Sequence, residues 1–188
     1  MSTSVKHAIC NEAAAHIGAG LFSDALTAQT ETQKSILAFY DQAAREVLDL
    51  RPWSGAARRA VLAELQKPDE RLHEGFNKFA LPADFVRMGD ETSCGYRRDW
   101  YIEEGAFYAS ASEVIIRYNS SETEATWSPH MIALIGVALG LKVSLTRKDS
   151  QSQTERLRRT YQALSLKTAQ LEGKNRSSRI GDPSRVDL

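Results

Sequence analysis

Between residues 131 and 145 the chain would be apolar on every side of a helix, with only Lys142 and Ser144 interrupting. Such a helix has no face to give to water, so it must be covered all round. It is either the central helix of the fold or a helix completed by a neighbouring copy. Ser128-Pro129 just before it offers an N-cap residue followed by a proline suited to the first helical position. The apolar run 131–141 is shorter than the roughly 18–20 residues that a bilayer crossing needs, so no membrane is expected.

Other helices follow from 3.6-residue periodicity. Ile9, Ala13, His16 and Ile17 share a face, and Gly18 and Gly20 then stop the helix, since glycine takes the left-handed conformation of a C-cap. Thr30 and Gln33 stand in capping-box spacing before a stripe of Ile36, Tyr40, Ala43 and Val47. Pro52 ends that helix, because its ring removes a backbone donor and disfavours helix at the residue before it. The full expectation is helices at about 4–18, 30–50, 56–65, 129–146 and 152–172, the last ended by Gly173.

In the middle, 99–103 and 107–110 flank Glu104-Gly105 as a hairpin, and 113–118 alternates as a third strand. The fold class is therefore α+β, mainly α: a helical bundle with a small antiparallel β-meander insert at about 97–119. Residues 1–172 read as a single domain. The polar stretch 173–188 cannot bury enough surface to offset its ordering entropy, so it reads as a C-terminal arm that is disordered when free.

The formal net charge of zero hides a division. From Lys142 onward there are 11 Lys and Arg against 5 Asp and Glu, and before it 13 against 19. An acidic body with a basic end suits head-to-tail contact between copies, which closes into a ring when the rotation per subunit permits. Two cysteines, Cys10 and Cys94, have no ligand spacing and suit a reducing compartment.

No constellation reads as an active site. Glu70 and His73 have the Glu-x-x-His spacing of dimetal bundles but no second pair, and Glu12 with His16 gives only two ligands. Glu103 and Glu104 are neighbours on a strand and point to opposite faces, which does not suit paired glycosidase carboxylates. Gly18-Ala-Gly20 lacks the lysine and the preceding strand of a phosphate loop. The chain is expected to be no enzyme, with no cofactor and no metal.

Three segments carry a resemblance. Ile9-Cys-Asn11-Glu-Ala-Ala-Ala-His-Ile-Gly18 is similar to an opening "NxALxxLG" pattern. Tyr40-Asp-Gln-Ala-Ala-Arg-Glu-Val-Leu-Asp-Leu-Arg-Pro52-Trp53 is similar to "YdxaRxevLrxxpW", and Leu81-Pro82-Ala-Asp84-Phe-Val-Arg87 to "LPxDxxR". In that order, ahead of an apolar helix, a long helix and a polar tail, they resemble the head-to-tail adaptor proteins of tailed, short-tailed bacteriophages. These are also called tail tubular protein A or head completion proteins. The segment through Arg59, Ala60 and Leu62 looks like a continuation "fAxxraxLa", from which Gly55-Ala56 departs, since an aromatic residue usually stands before the alanine.

The resemblance implies a virion protein of the neck, assembled in the host cytoplasm as a twelve-fold ring under the portal protein. It would contact a tail nozzle protein, and genomic DNA would pass through its channel. Asn11, Gly18, Pro52, Trp53, Leu81, Pro82 and Asp84 would be its structural motif residues. Lys174, Arg176, Arg179 and Arg185 would be the charges of a portal-binding arm. Two alternatives are a nucleic-acid-binding module using Arg156, Arg158, Arg159 and the tail, and a cell-wall hydrolase using Glu103 or Glu104.

Overall fold

The computed structural model describes residues 4–23, 25–65, 75–89, 100–147 and 149–180, with the side chains of 174–180 left aside. Four α-helices and six strands in two antiparallel sheets make up these residues, an α+β fold that is mainly helical. The chain divides into two compact units, Met1–Val47 with Glu124–Leu188 and, inserted between them, Leu48–Thr123. The residues expected as a single domain over 1–172 thus fall into a helical unit that is discontinuous in sequence and a continuous β-unit.

In the helical unit, α1 (Val5–His16) begins at Ser4, whose hydroxyl accepts the His7 backbone N–H at 3.2 Å. It ends in a Schellman turn. Gly18 takes φ 66°, Ala19 N–H donates to Ala14 O at 2.8 Å, and Gly18 N–H donates to Ala15 O at 3.3 Å. Helix α2 (Glu31–Leu50) opens with the capping box that the spacing implied. Thr30 Oγ1 accepts the Gln33 N–H and Gln33 Oε1 accepts the Thr30 N–H, both at 3.2 Å.

Helix α3 (Pro129–Arg147) is the apolar helix, with Met131, Leu134, Ile135, Val137, Leu139 and Val143 all buried. By length and composition it could cross a bilayer, which the 131–141 run alone did not suggest. Its buried side chains and its packing on α1 and on α4 (Gln151–Ile180) make it a core helix. Gly136 and Gly140 lie where α1 passes closest. A β-carbon on Gly136 would stand 2.5 Å from Glu12 Cγ, and one on Gly140 would stand 3.4 Å from Ala13 O.

Helix α4 runs through Gly173 to Ile180, which corrects the expected stop at 172. Gly173 lacks the positive φ of a C-cap and stays helical, because nothing in the next turn forbids helix. Residues 173–180 of the expected disordered arm are therefore helical, and 181–188 lie outside the described residues.

In the β-unit, β1 (Ala57–Val61) and β3 (Phe85–Met88) flank β6 (Ile115–Ser120), while β2 (Asn77–Ala80) and β4 (Trp100–Glu103) flank β5 (Ala106–Ala109). The helix expected at 56–65 is a 3-10 turn, Ser54–Ala56, followed by β1. Alanine and arginine favour helix in isolation, but pairing with β6 along Ala57↔Asn119 to Val61↔Ile115 overrides that preference. The insert is also larger than 97–119, since β1, β2 and β3 precede that segment. The β4–β5 hairpin turns on Glu104 (φ 48°) and Gly105 (φ 73°), a type I′ pair. Phe79, Phe107, Val114, Ile116 and Tyr118 form the core of this unit, and Trp100 stacks on Phe107 at 5.4 Å.

Candidate functional site

The residues that carried the family pattern fall at three polar nodes. The first lies on α1. Asn11 Oδ1 accepts the backbone N–H of Phe22 at 2.7 Å, fastening the loop after Gly18 onto the helix that it has just left. His7 Nε2 lies 3.0 Å from Ser23 O and 3.4 Å from Asn11 Nδ2. One nitrogen cannot donate to the carbonyl and accept from the amide at once, so these contacts alternate with the tautomer. Nearby, Tyr40 OH donates to Glu124 Oε1 at 2.9 Å and Lys6 Nζ lies 4.4 Å from the Tyr40 ring centre. Burial pushes the Cys10 thiol up to about 11, with Lys6 opposing and Glu124 reinforcing.

The second node closes the end of α2. Pro52 bars helix, and the carbonyls left over at the C-terminus need donors. Asn119, on β6 and 1% exposed, supplies them: Nδ2 donates to Leu48 O at 2.6 Å and to Arg51 O at 2.7 Å. Its Oδ1 accepts the Trp53 N–H at 3.0 Å. Trp53 is itself buried, with the Arg51 guanidinium 5.3 Å from its ring centre. Arg87 adds a bond to Asp49 O.

The third node is Asp84. Leu81 and Pro82 lead into a turn in which Phe85 N–H donates to Pro82 O at 3.0 Å, and this places the Asp84 carboxylate inward. Tyr118 OH donates to Oδ1 at 2.9 Å, Arg58 Nη1 to Oδ2 at 3.0 Å, and Ser120 Oγ closes a very short bond to Oδ2. Burial alone would raise the Asp84 pKa. The bonds from Ser120 and Tyr118, a backbone N–H and the Arg58 charge outweigh it and hold the carboxyl below its usual range. Conversely, burial and the bond to that carboxylate push the Tyr118 phenol up to about 12.

Sequence reasoning singled out Asp84, Trp53 and Asn11 but not their partners Asn119, Ser120, Tyr118 and Arg58. The signal was the polar run Tyr118-Asn-Ser120 at the end of an alternating strand, where polar residues at inward positions imply buried bonds.

The remaining candidates scatter. Arg156 donates to His16 O at 2.9 Å, closing the C-terminus of α1, and Arg159 pairs with Glu155 at 3.4 Å. Arg158 is exposed. Glu103 and Glu104 sit exposed at the hairpin tip. Glu12 pairs with His16 at 3.3 Å, and no group of three or more His, Cys, Asp or Glu converges as a metal site among the described residues. Glu70, His73, Cys94 and Arg185 lie outside the described residues, as do the side chains of Lys174, Arg176 and Arg179. The last buried side chain described on α4 is Glu172, whose carboxylate meets His130 Nε2 at 3.3 Å beside the start of α3.

No protein-family model matches the chain, and no curated protein matches it.

Proposed function

We propose that this chain is a structural assembly subunit, a phage head-to-tail adaptor. It forms a twelve-fold ring beneath the portal, joins capsid to tail nozzle and lines part of the channel through which DNA leaves. The observation that carries the reading is where the motif residues fall. Asn11, Trp53 and Asp84 come from separate stretches of the sequence, and each engages its polar atoms with backbone or side chains of its own unit. Groups so engaged hold architecture; they are not poised for substrate. The reading needs no cofactor or metal.

Helix α4 supports the arm assignment by carrying the backbone of Lys174, Arg176 and Arg179 beyond Glu172. In this proposal Lys174, Arg176, Arg179 and Arg185 meet the portal. The nucleic-acid alternative is less favoured, since Arg156 and Arg159 are occupied within the chain. Co-sedimentation with the cognate portal ring tests the proposal. Saturation at one copy per portal subunit is expected, and a chain that ignores the portal would sink the reading. Truncation after Gly173 should abolish docking, and truncation after Ile180 separates the helical part of the arm from the rest.

A further inference from the structure

The face that α4 turns toward α3 changes character along its length. Leu157 is buried there, and Leu164 and Leu171 are half-buried on the same stripe. Beyond Leu164, however, the fully covered positions are polar: Thr168 and Glu172. Thr168 turns its hydroxyl back onto its own helix, toward Leu164 O at 2.9 Å and Ser165 O at 3.0 Å. A covered carboxylate costs stability unless it is paired. Glu172 meets His130 Nε2 at 3.3 Å, so a polar contact ties the root of segment 173–180 to the start of α3.

That contact has two settings. His130 Nε2 also lies 2.9 Å from Ser128 Oγ. With its proton on Nε2, the neutral imidazole donates to the Glu172 carboxylate. With the proton on Nδ1, Nε2 can only accept; the Ser128 hydroxyl is then its donor, and the carboxylate faces a lone pair. The exchange requires no movement of α3. Ser128 O accepts the Met131 and Ile132 N–H groups at 3.0 Å each, which keeps the first turn in place in both settings.

We infer that Ser128, His130 and Glu172 form a latch that sets the direction of α4 beyond Gly173. It is closed when His130 donates to Glu172 and open when His130 accepts from Ser128. Gly173 follows the latch directly, and an added β-carbon there meets nothing within 4 Å, so the joint is a flexible one. Opening frees the last turns, while the apolar contacts around Leu157 hold the first half of α4. The latch does not depend on the adaptor reading, within which it would aim the portal-binding arm.

Segment-resolved amide hydrogen exchange decides it. His130→Ala should speed exchange over 172–180 at least about tenfold, the strength of one charge-assisted bond. Ser128→Ala removes the competing hydroxyl and should slow the same amides. Residues 131–143 should keep their wild-type rates in both variants. An unchanged 172–180 in His130→Ala overturns the latch, and so does a Ser128→Ala chain that shifts in the same direction as His130→Ala. If His130→Ala loosens 131–143 as well, Glu172→Leu decides instead. An apolar plug at that position should slow 172–180 below the wild-type rate, and failure to do so overturns the latch.

Discussion

Gly136 on α3 faces Glu12 on α1 so closely that a β-carbon there would lie 2.5 Å from Glu12 Cγ and 2.7 Å from its Cβ. The atoms at the root of the glutamate cannot swing away as its carboxylate can, so the helices themselves would have to part. Gly136→Ala should cost about 1–3 kcal/mol, as overpacking does. Gly140→Ala meets only ordinary contacts from 3.4 Å and gains helix propensity, so it should be neutral or mildly stabilising. Thermal melts of the two variants side by side would show the difference.

Asp84 ties acid stability to one carboxylate. Its pKa is lower folded than unfolded, so its contribution is present above the usual aspartate value of about 3.9 and is lost as pH falls through the folded value. Asp84→Asn should destabilise the chain by about 1–3 kcal/mol at pH 7, because the buried Tyr118 and Ser120 hydroxyls lose a charged acceptor, while Arg58 is exposed and keeps Glu122 beside it. The variant should also lose less stability than the wild type between pH 5 and pH 3. Urea titrations across that range would reveal an unchanged slope if the network were unimportant.

Asn119 satisfies three backbone groups that Pro52 leaves stranded. Asn119→Ala should cost on the order of 3 kcal/mol, since buried carbonyls would lose their donors. Asn119→Asp should be at least as damaging at neutral pH, because a carboxylate would face Leu48 O and Arg51 O. Denaturant midpoints check both.

Cys10 should be inert. With its thiol pushed up to about 11 and fully buried, it carries little thiolate at pH 8. In a Cys94→Ser background, an aromatic disulfide reagent should label Cys10 only as fast as the helical unit opens. Rapid labelling of the native chain would contradict the packing around Tyr40.

At Gly173 an added β-carbon meets nothing within 4 Å. Gly173→Ala should therefore stabilise the end of α4 by about 0.5–1 kcal/mol. Amide exchange over 172–180 should slow in that variant.

Much of the helical unit was legible because its signals are local. Capping by Thr30 and Gln33, the Gly18 turn, the Pro52 stop and the uniform apolarity of 131–145 each lie within a few residues of the element that they define. Glu104-Gly105 likewise announced its hairpin. The sheet around β1 was not legible, because Ala57-Arg-Arg-Ala-Val61 becomes a strand through its partner β6, far along the chain. The Asp84 and Asn119 nodes were half legible for the same reason: one residue stands in a motif while its partners arrive from another strand. Gly173 misled because a glycine after an amphipathic stretch marks a helix end only when it turns left-handed.

The insertion of the β-unit into the helical unit also orders events in time. Residues 48–123 leave the ribosome as one continuous stretch and can pair β1 with β6 as soon as β6 emerges. Helix α1 has no such opportunity, since Arg156, which closes its final carbonyl, follows His16 by 140 residues. At about 5–20 residues per second, α1 waits roughly 7–28 s for that partner during synthesis. A β-unit folded in the meantime ties residues 48 and 123 together and shortens the loop that the two halves of the helical unit must close. Newborn chains would then show a protease-resistant β-unit before any resistant helical unit.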